Sequence, residues 1–251
     1  MPRPSRKISR IEMSEKLNKN KIDAKNQKAN LFSLVSDKIQ KRFPKFNGIR
    51  SLSFFLLTVA FIGFMFMAFS LFSNHGTSLY SWDYTWQYVN FSYYFWDVWH
   101  GFLRTGQFEM YSYSTYLGGD NIGMNSYYGL FDPFFLPMIV FPRSWIPQMF
   151  AVMGIAKFVC AATTMRAYLR YMGIKDDVSD LGGIAFAFSG FTCFMIGFPT
   201  IVSVVAEAPL VLLGIEKVIR ERKPACLVIG LGILGITSFF YLVTFCIWGV
   251  I

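Results

Sequence analysis

The stretch SLSFFLLTVAFIGFMFMAFSLF, residues 51–72, decides the fold class. It runs 22 residues without a charged side chain. At about 1.5 Å of rise per residue a helix of that length reaches roughly 33 Å, enough to cross a hydrocarbon core of about 30 Å. Lipid offers no hydrogen-bond partners, so the backbone must satisfy itself, and a helix does so. A first transmembrane helix is therefore expected here. The run begins too far from the N-terminus, and is too long, for a cleavable signal peptide.

Charge orients this helix. Residues 1–50 hold fourteen Lys/Arg and four Asp/Glu, net +10, whereas residues 51–251 hold ten and eleven, net −1. Lys41, Arg42, Lys45 and Arg50 lie just before the span. The positive-inside rule then puts the N-terminus in the cytoplasm and residue 73 outside. A basic block abutting a span points to a membrane surface and away from nucleic acid. Residues 1–29 are too polar to bury a core. Phe32, Val35, Ile39 and Phe43 recur at helical spacing among Lys38, Lys41 and Arg42. They predict an amphipathic helix on the inner surface or against the protein's own cytoplasmic side.

Four further apolar runs follow, at 145–168, 181–198, 200–218 and 224–251. Arg166, Arg170 and Lys175 close the second span, and Lys217, Arg220, Arg222 and Lys223 the fourth, both on the inner side. The expectation is an all-α, polytopic transmembrane protein of about five spans. Its domains are a basic tail over 1–44 and a membrane domain over 45–251. The chain stops inside an apolar run, so a piece of a longer protein is expected. Cys160, Cys193, Cys226 and Cys246 form no CxxC and read as small buried hydrophobes. His75 and His100 are not spaced as a ligand pair.

An extracellular loop over 73–142 separates the first two spans. Twelve of the 23 residues in YSWDYTWQYVNFSYYFWDVWHGF, 80–102, are aromatic. On a helix, Asp83, Gln87, Asn90, Tyr94 and Asp97 form one polar stripe, which Arg104 continues a heptad later. Such an amphipathic helix is expected to lie flat in the outer interface, held by its Trp and Tyr residues. Its polar face is either a site or an incidental surface. A partly desolvated Asp83 would suit a general base or a metal ligand. The following loop, 105–130, is rich in Tyr, Ser, Asn and Gly, which suit sugar hydroxyls as well as plain flexibility. Gly118-Gly119-Asp120-Asn121 signals a turn. GGDNIG follows no strand pattern, so dinucleotide binding is rejected. Residues 131–142, with three prolines, are too short to span and read as re-entrant or interfacial. Lys157 and Glu207 are charges inside spans, which are costly and so paired or functional. Two readings stand: a Lys157–Glu207 ion pair, or Lys157 meeting a lipid-linked phosphate.

The order of motifs carries a resemblance. SWDYTWQYVNF with its DxxxQY pattern is followed by GQFEMYSYSTYLGGDNIG, YYGLFDPFFLP, a Lys-bearing span closing in AYLRYMG, then AFSGF, APLVLLGIEK and SFFYLVTF. Over about 48–251 the chain resembles the YfhO family of bacterial membrane proteins, whose members are several times longer. The resemblance implies a GT-C-like glycosyltransferase fold in the bacterial plasma membrane. It implies a polyprenyl-phosphate-linked sugar as donor and an extracellular cell-wall polymer, such as lipoteichoic acid, as acceptor. By motif position it implies Asp83 as the catalytic carboxylate with Gln87 beside it. Asp97, Arg104, Asp120, Asn121 and Lys157 are the candidate substrate-binding residues, Asp120 also as a second carboxylate. A divalent metal is left open. Beside transfer stand two other functions: a transporter or flippase of lipid-linked sugars, with Glu207 and Lys157 lining a path, and a non-catalytic assembly factor.

Overall fold

A computed structural model describes residues 48–73, 84–113 and 118–250. Asp83 and the predicted amphipathic helix at 31–43 lie outside the described residues. Helix α1, Gly48–Ser73, is the first charge-free run. A wide π-helical turn, Tyr84–Tyr88, leads into α2, Val89–Thr105. A two-residue antiparallel ladder pairs β1, Tyr111–Ser112, with β2, Gly119–Asp120. Short α3, Asn121–Asn125, and two 3-10 turns, Leu136–Val140 and Arg143–Trp145, lead to α4, Ile146–Tyr171. Next come α5, Asp176–Ala187, and α6, Gly190–Phe194, then α7, Pro199–Glu221, α8, Ala225–Thr237, and α9, Phe239–Val250.

Three helical segments are long and apolar enough to cross a membrane: Leu52–Ser73, Arg143–Tyr171 and Asp176–Gly197. The chain is an all-α membrane protein. Two of the apolar runs are not single helices. The run at 181–198 breaks at Ser189, whose hydroxyl accepts from the Thr192 amide and caps α6. The run at 224–251 breaks at Ser238, which is extended at φ −162° and ψ 111°.

The helices meet through small residues, as lipid-embedded packing requires. A Cβ on Gly183 would stand 2.6 Å from the Ala162 carbonyl, so α4 and α5 touch backbone to backbone. One on Gly214 would stand 2.5 Å from Leu227 Cα, which sets the α7–α8 separation in the same way. Phe55, Val59 and Met67 of α1 pack with Phe158, Ala161 and Ala162 of α4 and with Val202 and Ala206 of α7. A second core lies under α2, where Val89, Phe95 and Val98 meet Leu130, Phe135, Met138, Ile146 and Phe150.

That second core gives the aromatic loop a seat on the protein. Its rings pack chiefly on the protein itself. Trp99 Nε1 donates to the Leu130 carbonyl at 3.0 Å, and Trp96 Nε1 to Phe141 at 3.0 Å. Phe91 stacks on Tyr128 with centroids 4.4 Å apart. One aromatic composition serves both an interfacial anchor and a seam within the protein. Trp86, at 76% exposure, is left facing outward.

Candidate functional site

A buried polar file descends one face of α7. Pro199, Ser203 and Glu207 fall at steps of four, so they stack on that face. At its top Asp132, from the proline-rich segment, is 3% exposed, and Lys157 of α4 is 1% exposed. Asp132 Oδ2 accepts from Ser203 Oγ at 2.6 Å and from Lys157 Nζ at 3.4 Å. Asp132 Oδ1 accepts from the Phe134 amide at 2.8 Å. Lys157 Nζ also donates to the Pro199 carbonyl at 2.9 Å. Pro199 opens α7, where its missing N–H costs nothing. Three segments distant in sequence are thus fastened at one carboxylate. So many charge-assisted bonds are what a buried ion pair needs to offset its desolvation.

This replaces the Lys157–Glu207 pair. Lys157 gives its bonds to Asp132 and Pro199. Glu207 instead accepts from Thr237 Oγ1 of α8 through Oε1 at 2.6 Å. Asp132 and Ser203 were missed as members of a site. The signal was present: Asp132 is the one charge in an otherwise apolar 12-residue run, 131–142, and it adjoins a proline. Tyr88 is buried beside Thr200 at the outer end of α7, and burial raises its pKa above the ordinary phenol range.

The remaining predicted residues sit on the outer layer and do not converge on one point. Gln87 is half-buried in the π-helical turn, the first described element after Asp83. Such turns often mark functional sites. Along the predicted stripe, Asn90 and Asp97 are exposed while Tyr94 is covered. Asp97 is clamped by Arg143, with Nε at 2.9 Å and Nη2 at 3.0 Å, and the guanidinium lies 4.7 Å from the Tyr93 ring. Arg104 is exposed in the last turn of α2, which Gly106 closes at φ +71°. Asp120 caps α3, accepting from the amides of Ile122 at 3.1 Å and Gly123 at 2.7 Å. Asn121 is buried; its Oδ1 accepts from Tyr94 and from Asn125, and its Nδ2 donates to the Glu109 carbonyl. These last two side chains hold the loop together. Among the described residues no three His, Cys, Asp or Glu side chains gather as a metal site.

A family model described as bacterial membrane protein YfhO matches residues 53–250. The chain belongs to the YfhO family. The match covers α1, the folded outer layer and nearly all of the helices after it, the same span over which the motif order resembles the family. No curated protein and no solved structure matches the chain. Within this YfhO-family chain, the FDPFF segment therefore supplies Asp132 to the buried clamp, and the Lys-bearing span supplies its counter-charge.

Proposed function

We propose that the protein is a multi-pass glycosyltransferase of the bacterial plasma membrane. It moves a sugar from a polyprenyl-phosphate carrier to an extracellular cell-wall polymer, with the N-terminus in the cytoplasm. The observation that carries this reading is the π-helical turn Tyr84–Tyr88. Tyr88 is buried beside Thr200 at the outer end of α7, and Gln87, half-buried in the same turn, lies four residues after Asp83. A lipid-phosphate sugar already carries a good leaving group. The enzyme has to take a proton from the acceptor hydroxyl and stabilise the departing phosphate. Asp83 is suited to the first task and the exposed Arg104 to the second. Lys157 is spent on the Asp132 clamp and is assigned to structure. An apolar cleft of about 170 Å³, lined by Pro133, Phe134, Pro137, Met138, Met149 and Val152, suits the first isoprene units of a carrier. Topology follows from the Lys/Arg bias of residues 1–50.

The test is Asp83→Asn in the full-length protein in cells, with the sugar content of the wall polymer as readout. Loss of the sugar at normal protein levels is expected. Wild-type glycosylation by well-expressed Asp83→Asn protein rejects the assignment.

A further inference from the structure

Glu207 has a feature that sugar transfer does not use. It is 3% exposed in the middle of α7, and its Oε2 is buried with no hydrogen-bond partner among the described residues. Its Oε1 accepts from Thr237 Oγ1. The residue after Thr237 is Ser238, fully buried, and its Oγ likewise has no partner. Ser238 is where α8 stops. Its amide donates to the Leu234 carbonyl, and its extended backbone starts α9 on a new course. The carbonyls of Gly235, Ile236 and Thr237 accept no backbone hydrogen bond among the described residues, as at any helix C-terminus.

The cations near this break are already committed. Lys157 and Asp132 cancel each other, and Lys157 Nζ is committed to Asp132 and the Pro199 carbonyl. Arg166 is paired with Asp180. Glu207 Oε2 is left with neither a hydrogen bond nor an ion pair among the described residues. A buried carboxyl in this position takes up either a proton or a cation. The Glu207 carboxyl is bonded to the Thr237 hydroxyl, and the adjoining residue carries the unpartnered Ser238 hydroxyl at the carbonyl end of α8, whose dipole is negative. Broken helices in membrane proteins present just such ends to cations. One net negative charge fits a monovalent ion, since divalent sites draw on several carboxylates.

We propose that Glu207, Thr237 and Ser238 form a site for one sodium-sized monovalent cation at the α8–α9 break. The ion supplies a counter-charge to Glu207 Oε2 and a ligand field to Ser238 Oγ. It also ties α7 to the start of α9. The proposal stands independently of the sugar-transfer reading.

The experiment is thermal unfolding of the purified full chain in detergent, at fixed pH and ionic strength, with choline chloride replaced stepwise by NaCl. An ion that binds only the folded state raises the folding constant about 100-fold at about 100 times its Kd. A saturable rise in Tm with sodium is expected, lost in Glu207→Gln and weakened at least tenfold in apparent affinity in Ser238→Ala. Equilibrium binding of radioactive sodium to the wild-type protein is measured alongside, so that a poorly folding variant does not decide the matter. A Tm indifferent to sodium together with no sodium binding overturns the proposal. So does stabilisation by acid alone, which would mean that a proton supplies the charge. Sodium binding unchanged in a folded Glu207→Gln protein overturns it too.

Discussion

The clamp at Asp132 makes a quantitative prediction. In Lys157→Met the aliphatic stem is replaced at similar volume and the charge is lost. Asp132 keeps Ser203 Oγ at 2.6 Å and the Phe134 amide at 2.8 Å, but it is a carboxylate 3% exposed with no cation. Removing one partner of a buried pair costs about 3–5 kcal/mol. At about 2–4 °C per kcal/mol for a chain of this size, Tm should fall by roughly 6–20 °C. Asp132→Asn alone should cost less. The amide can still accept from Ser203, and Lys157 keeps its 2.9 Å bond to Pro199. The double variant Lys157→Met/Asp132→Asn has no buried charge at the clamp, so it should recover about 1–3 kcal/mol relative to the sum of the singles. The assay is thermal unfolding in detergent followed by fluorescence, since Trp96 and Trp99 bond to carbonyls of the segment that Asp132 pins. If the singles add without recovery, the pair carries no coupling. If Glu207→Gln restores Lys157→Met where Asp132→Asn does not, the partner has been misassigned.

Four other variants test the frame around it. Gly214→Ala sets a Cβ against the Leu227 backbone, which cannot yield, and should cost about 1–3 kcal/mol of thermal stability; Gly232→Ala, with nothing within 4 Å, should gain about 0.5–1 kcal/mol. Asn121→Ala leaves Tyr94 and the Glu109 carbonyl without their partner and should destabilise the protein by about 1–3 kcal/mol, read as a lower unfolding midpoint. Asp97→Asn breaks a half-exposed pair and should change stability by less than about 1 kcal/mol, so any fall in polymer glycosylation would report on substrate handling.

Some of this was legible in the sequence and some was not. Residues 51–72 declare a helix because a charge-free run of that length has no soluble use. The helical form of the aromatic loop followed from the spacing of Gln87, Asn90, Tyr94 and Asp97. Its burial did not, because Trp at a membrane interface and Trp in a protein seam look alike until an indole partner is known. GGDN announced a turn, but that Asp120 spends both oxygens on capping α3 depends on the amides of Ile122 and Gly123, which only the folded loop brings to it. Lys157 was recognised as an expensive charge. Its partner was misread because periodicity relates residues within helices, and Asp132 reaches it from a non-helical segment 25 residues earlier. The break at Ser238 left no trace, since GITSFF carries no proline there and every residue in it is at home in an apolar span.

The polar file also explains why the outer layer is placed so firmly. It is attached to the helices at two places, one on α7 and one on α9. Tyr88 and Asp132 fix it near Thr200 and Ser203. Tyr127 of the same layer lies against Phe240 at 5.8 Å and Tyr241 at 6.2 Å, the first turn of α9. Between those ends, α7 presents Ser203 and Glu207 one turn apart, and Glu207 holds Thr237 at the break from which α9 departs. The circuit runs from layer to α7, from α7 to α8, and from the break back to the layer. Its upper link is a balanced ion pair with every carboxylate oxygen used. Its lower link is a carboxylate with one oxygen unused. Tyr127 packs on Tyr128, whose ring stands 5.9 Å from that of Tyr88 in the turn that carries Gln87.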